Sequence, residues 1–389
     1  MKVLLISHIF PPAVDGGSKV IYKLGQYLES QKHQTLYLSS NCSSTDDFVT
    51  PKFKVSPSAK NFIKLPIYHN LRRPLKFLNL FFNQDLLKVL QKGPIFKIIP
   101  FFKATYQIIK FNPTLIIAGP LPTTIVLYAS WLKKITHSKL LINASFHPTD
   151  NDFQQKPLIN SLKQADYLWT LTQFETDYFI KKFNIDPQKI ILAGNGVDKN
   201  FLKEEKNINH NSRPNILFIG SLATHKRVDL LIKSFSELKT NSVLTIAGQK
   251  TLSYRQIEDL INSLKSEIKY NIHFIFNFNQ NELSRIIDKS DVLVLPSNQE
   301  SFGLVIIEAW ARQKPVICAD IPSLKELVKN SNGGLLFKSN DQSDLTQKIQ
   351  EIINNPLKAE QMGQNGYDYV KNNYTWKKVG DKICQKILF

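Results

Sequence analysis

This chain of 389 residues has little that could cross-link it or carry it through a bilayer. Its three cysteines, Cys42, Cys318 and Cys384, are scattered, without disulfide or metal-site spacing. A reduced, cytosolic compartment is the simplest expectation. No apolar run reaches the ~18 residues of a spanning helix. The opening MKVLLISHIF is cut short by Pro11 and Pro12, so it reads as a first buried strand rather than a secretion signal. There is no G-x-G-x-x-G fingerprint, which argues against an NAD enzyme, and no repeat of solenoid period. Acids are scarce too: 32 Asp and Glu face 50 Lys and Arg, a formal charge of +18.

That charge is concentrated. Between Lys52 and Lys110 there are twelve Lys or Arg and one acid, Asp85, which accounts for +11 of the +18. The same stretch is full of Phe, Leu and Ile, and Leu75–Leu90 and Ile98–Lys110 read as amphipathic helices. Basic and bulky apolar residues together suit a helix lying on an anionic membrane surface, here through residues 60–110. The alternative is that the apolar residues pack inward and the lysines are a solvated face. A nucleic-acid partner is not expected, since no RNA or DNA module is recognisable.

The length suggests two domains. Most of the chain alternates short apolar runs with helical patterns, the sign of an α/β protein with parallel sheets. One stretch organises the rest. VLVLPSNQESFGLVIIEAWARQKPVICAD, from Val292 to Asp320, reads as strand, loop, helix and strand. Glu300 falls in the loop and Glu308 in the second helical turn, flanked by Ile306, Ile307 and Ala309. The backbone N–H groups of Phe302 to Val305 open into the same space, where a helix start favours an anion. Acids near a helix start are common on exposed surfaces, but a carboxylate in a helix apolar nearly all round needs a partner or a ligand.

PSNQESFGLVIIEAWARQKPVI resembles the signature of retaining nucleotide-sugar glycosyltransferases of GT-B architecture, family four. The pattern is P-S-x-x-E-x-F-G, a second Glu eight positions after the first, then Ala, then P-V. The resemblance implies an α/β chain of two Rossmann-like domains facing a central cleft. The first would span 1–203, joined by the terminal helix 375–389, and the donor domain 212–372, with the polar stretch 204–215 as linker. It implies that Glu308 binds ribose hydroxyls and Glu300 sugar hydroxyls. Ser301, Phe302, Gly303, Leu304 and Val305 would line the diphosphate. Gly220 and Lys226, in GSLATHK, match the family's Gly-Arg…Lys element, with Ser221 in place of the Arg. Gly16 and Gly17, which alone would read as a simple turn, match its glycine loop. His147, which alone would more often be structural, matches the His that contacts the donor sugar. Gln313 stands where the family has Gly at a left-handed helix end.

The activity so implied is transfer of a sugar, with retention, from a nucleotide-diphosphate donor to a glycan or lipid-linked acceptor. Cell-surface polysaccharide, lipopolysaccharide or glycolipid synthesis would be the setting, at the inner face of the cell membrane. No cofactor is implied beyond the nucleotide-sugar co-substrate. No metal-binding cluster of Asp or His is evident, so side chains and helix dipoles would neutralise the leaving diphosphate. A sugar-nucleotide epimerase of the same architecture is the alternative.

Overall fold

The first strand sets the pattern for the chain. KVLLI has every residue after Lys2 buried, as a strand covered on both faces requires. The computed structural model describes residues 1–10, 16–42, 61–68, 84–90, 93–148, 150–202 and 213–388. The chain divides into two compact units, one of Met1–Gly194 with Val379–Phe389, the other of Asn195–Lys378. Most of the expected linker 204–215, namely 204–212, lies outside the described residues.

In the first unit the strands are β1 (Lys2–Ile6), β2 (Gln34–Ser40), β3 (Phe62–Leu65), β4 (Leu115–Ala118), β5 (Lys139–Asn143), β6 (Tyr167–Thr170) and β7 (Ile190–Leu192). They form one parallel sheet in the order β3-β2-β1-β4-β5-β6-β7. In the second unit β8 (Asn215–Ile219), β9 (Val243–Gly248), β10 (Ile272–Phe276), β11 (Val292–Leu295), β12 (Val316–Ala319) and β13 (Gly334–Phe337) lie in the order β10-β9-β8-β11-β12-β13, again parallel. In each sheet the order reverses at one place, between β1 and β4 and between β8 and β11. Open α/β sheets bind ligands outside the carboxyl ends of the strands at such reversals.

The terminal helix Trp376–Leu388 returns to the first unit from Val379 onward. A Cβ on Gly380 would lie 2.3 Å from the Tyr27 ring, and the Tyr27 hydroxyl donates to Asp381 at 2.5 Å. The helix therefore docks closely on the helix Gly16–Ser30.

Two elements differ from the sequence reading. FIKL forms the edge strand β3, in a stretch whose basic and apolar mixture suggested only helices. Ile98–Phe111 is the expected helix, whereas of Leu75–Leu90 only Gln84–Leu90 falls within the described residues. The helix after β11 is short, Leu304–Trp310, where the unbroken apolar run GLVIIEAWAR suggested one reaching Arg312. It closes as a Schellman turn. Gln313 takes φ +58, its N–H meets the Trp310 carbonyl at 2.8 Å, and Lys314 N–H meets the Ala309 carbonyl at 3.0 Å.

That short helix is anchored at its far end. Trp310 is fully buried and its indole N–H donates to the Gly333 carbonyl at 2.8 Å. A Cβ on Gly366 would sit 2.1 Å from the indole, so only glycine lets the helix Pro356–Asn373 approach.

Candidate functional site

Two loops meet at the switch point of the second sheet. One leaves β8 through Gly220 and Ser221 and makes a single turn over Thr224–Lys226. The other leaves β11 and runs from Ser297 to Gly303. They are tied together by a backbone bond, Asn298 N–H to the His225 carbonyl at 3.0 Å. That bond brings the Lys226 ammonium to the Glu300 carboxylate at 2.5 Å, with both side chains largely shielded from solvent. Ser323 holds the Glu300 backbone from the other side, donating to its carbonyl at 2.7 Å.

The turn into the helix depends on Gly303, which sits at φ +82. A side chain there would be strained by the left-handed backbone and would press on Leu324 Cδ2 at 2.9 Å. Phe302, fully buried, packs edge-on to Tyr374 with ring centroids 5.4 Å apart. Ser301, Leu304 and Val305 are half-buried around the helix start. Glu308 is only 7% exposed, between Ile306, Ile307, Ala309 and Trp310, which are fully buried. The expectation of a carboxylate set into an apolar helix therefore holds in this geometry.

Arg227, next to Lys226, has its side chain engaged elsewhere. It caps the helix Val228–Ser236 from a left-handed backbone at φ +51. Its guanidinium is held by the Asp229 carboxylate at 3.1 and 3.2 Å and by the Asn340 side chain. Lys226, by contrast, is paired with Glu300.

The first unit has its own switch point, between β1 and β4. Gly16 and Gly17 form the first turn of the helix Gly16–Ser30, and a Cβ on Gly17 would meet Pro120 Cγ at 2.4 Å. Close packing on Pro120 thus requires glycine whatever the ligand. The rest of the glycine loop, at 11–15, lies outside the described residues. Ser7, at the end of β1, pairs with Ser18 at 2.8 Å, and both are buried. His147 follows β5, half-buried, with its ring edge-on to Phe153 at 5.1 Å. The structure brings Gly220, Ser221, Lys226, Glu300 and the residues up to Glu308 together in the second unit. It places Gly16, Gly17 and His147 in the first.

Three residues that shape these sites escape the sequence reading. Glu175, buried, accepts the N–H groups of Phe146 at 2.8 Å and Leu171 at 2.6 Å, and so fixes the turn that carries His147. Its sequence signal is the capping-box pattern Thr172-x-x-Glu175, whose carboxylate also reaches the Phe146 and Leu171 N–H groups. Gly248 is the second: a Cβ there would fall 1.7 Å from the Gly220 carbonyl oxygen. Ser297 is the third. Its hydroxyl is buried beside the Glu300 loop and has no hydrogen-bond partner among the described residues, which marks it as a group a ligand could satisfy.

Comparison with known proteins concerns the fold and the family. Residues 198–369 match the protein-family model described as glycosyl transferases group 1. A protein of Methanocaldococcus jannaschii named an uncharacterized glycosyltransferase is 30% identical over 241 residues, 57% of this chain and 65% of its own length. The O-antigen chain mannosyltransferase of Salmonella typhimurium is 28% identical over 193 residues, 49% of this chain and 52% of its own. The chain thus spans between half and two thirds of these two relatives. Anabaena HepE, solved in complex with UDP-glucose, superposes with a TM-score of 0.74 at 15% identity, covering 100% of this chain and 99% of HepE. The architecture is GT-B, shared with solved glycosyltransferases, and the sequence matches support the group 1 family.

Proposed function

We propose that the protein is a retaining glycosyltransferase that takes a hexose from a nucleotide-diphosphate donor and passes it to a glycan or lipid-linked acceptor. The observation that carries this reading is the convergence of Lys226 and Glu300 at the switch point of the second sheet, with Glu308 set into the helix below. A nucleotide sugar needs groups of both kinds. Its diphosphate calls for a cation, and its ribose and sugar hydroxyls call for carboxylate acceptors.

In this reading Glu308 binds the ribose and Glu300 the transferred sugar. Lys226 leaves Glu300 for the diphosphate and stabilises the negative charge that grows there as the glycosidic bond breaks. The main-chain N–H groups from Phe302 to Val305 and the Ser297 hydroxyl are assigned to the same donor. Gly220 gives the diphosphate room to approach the backbone, and Ser221 lines the turn above it. Within the first unit, Gly16, Gly17 and His147 are assigned to the donor by resemblance. Charge on the leaving group is met by Lys226 and backbone N–H groups, without a divalent ion. UDP-glucose bound to HepE supports a nucleotide-sugar donor, and the O-antigen chain mannosyltransferase supports a glycan of that kind as product. The inner face of the membrane as the place of reaction rests on the resemblance alone.

The test is calorimetry with UDP, GDP and their hexose conjugates, followed by product analysis with and without lipid-linked acceptors. Micromolar binding of one nucleotide sugar and acceptor-dependent transfer with retained anomeric configuration are expected. Isomerised donor without acceptor would assign an epimerase instead. No affinity for any nucleotide sugar would contradict the proposal.

A further inference from the structure

The helix Ile98–Phe111 is apolar on two sides. Ala104, Thr105 and Ile108 are buried against the first sheet. On its outer side Ile98 is 60% exposed, Ile99 70%, Phe102 62%, Tyr106 60% and Ile109 47%. At 3.6 residues per turn these five fall within about 100° of arc, a continuous apolar stripe. The stripe continues onto the neighbouring helix Ile125–Thr136. Trp131, whose ring lies 5.3 Å from that of Phe101, and Ile135 are both exposed there. Isolated exposed apolar residues need no account, but a grouped patch of this kind marks a contact surface.

The charges around the stripe identify what it fits. Lys103 and Lys110 project along one flank of the same helix, and Lys97 stands at its start, all exposed. Lys134 is exposed beside Trp131, while Lys133 is occupied by Asp166 at 2.8 Å. Neither helix contains an acid. The Lys110 ammonium lies 4.9 Å from the centre of the Tyr106 ring, so the polar flank begins where the apolar stripe ends. A second copy docking through the same face would set lysine against lysine, because a two-fold contact repeats one patch on both sides. A lipid surface with anionic headgroups meets both demands: acyl chains for Ile, Phe and the Trp and Tyr rings, phosphate for the lysines.

We infer that the stripe of Ile98, Ile99, Phe102, Tyr106 and Ile109, extended by Trp131, is an interfacial membrane-docking face that selects anionic lipid. It goes beyond the proposed transfer reaction and does not depend on it. It also narrows the sequence expectation. Among the described residues of 60–110 the face belongs to the one helix, and Trp131 and Ile135 lie beyond that window. The expected contributions from 69–83 and 91–92 lie outside the described residues.

The experiment is flotation of the full chain with vesicles of phosphatidylcholine alone or mixed with phosphatidylglycerol, while Trp fluorescence is followed. Trp169 and Trp310 are fully buried and Trp376 nearly so, which makes Trp131 the reporter. Wild type is expected to float with the mixed vesicles only, with a blue shift that Trp131→Phe abolishes. Ile99→Glu with Phe102→Glu should weaken partition at least about tenfold, since two bulky apolar groups are lost. Lys103→Gln with Lys110→Gln should weaken it by roughly fivefold per lysine, and added salt should do the same. Leu252→Glu, a change at a fully exposed apolar residue elsewhere, should change nothing. Equal flotation with both vesicle types overturns the inference, as does unchanged partition of the Ile99/Phe102 variant. Absence of wild-type flotation, with self-association that the Ile99/Phe102 variant abolishes, would also overturn it and assign the face to a second copy. Nucleotide affinity measured without vesicles reports on the transfer proposal separately and should not change in any of these variants.

Discussion

The Lys226 ammonium sits 2.5 Å from the Glu300 carboxylate although 74 residues separate them. The pairing follows from sheet order, because β8 and β11 are hydrogen-bonded neighbours with Val292 opposite Ile216. With no donor present each group neutralises the other. In the proposed reaction a bound donor parts them, Lys226 toward phosphate and Glu300 toward hydroxyls.

Glu308→Ala tests the ribose assignment. Loss of charge-assisted hydrogen bonds should weaken nucleotide binding by about 1–3 kcal/mol, with the fold retained. Calorimetry and a melting curve measure the two together. Unchanged nucleotide affinity would remove Glu308 from the donor site.

Arg227 and Ser221 test which cation serves the diphosphate. Arg227→Gln should leave turnover within about threefold of wild type, since its guanidinium is engaged by Asp229 and Asn340 rather than aimed at Glu300. Ser221→Arg should be tolerated or mildly activating. Steady-state assays with a known donor settle the matter: a fall of two orders of magnitude in Arg227→Gln would transfer the phosphate role to Arg227.

Gln313 tests the reading of the helix end. Held at φ +58, it carries a left-handed strain that glycine would not. Part of that gain is cancelled by the greater freedom of glycine in the unfolded chain. Gln313→Gly should raise unfolding free energy by about 0.5–1 kcal/mol in urea titration. A loss of stability would mean that the side chain contributes more than its backbone costs.

Much of this was legible before the structure. VLLI, LIIA and VLVL are buried on both faces, so strands of the parallel sheets stand out as short unbroken apolar runs. The spacing of Glu300 and Glu308, and the oddity of Gln313, could be read because loop and helix are contiguous in sequence. What could not be read depends on contacts between distant segments. The partner of Lys226 is set by which strands are neighbours, and β3 is a half-exposed edge strand whose FIKL has no apolar run to reveal it. The helix Ile98–Phe111 and its basic, apolar character were read from the sequence, but not which of its sides faces out, because a helix apolar on two sides gives no periodicity that decides it.

The central claim is that Lys226 stabilises the leaving diphosphate, and turnover of Lys226→Ala measured against donor affinity tests it most directly. A positioned cation favours the transition state more than the bound donor. Loss of one charge-stabilising donor should therefore lower kcat by roughly 100- to 1000-fold, while the dissociation constant for the nucleotide sugar changes by much less. Near-wild-type kcat in Lys226→Ala, with the protein folded and donor bound, would contradict the account and place the leaving group on another cation.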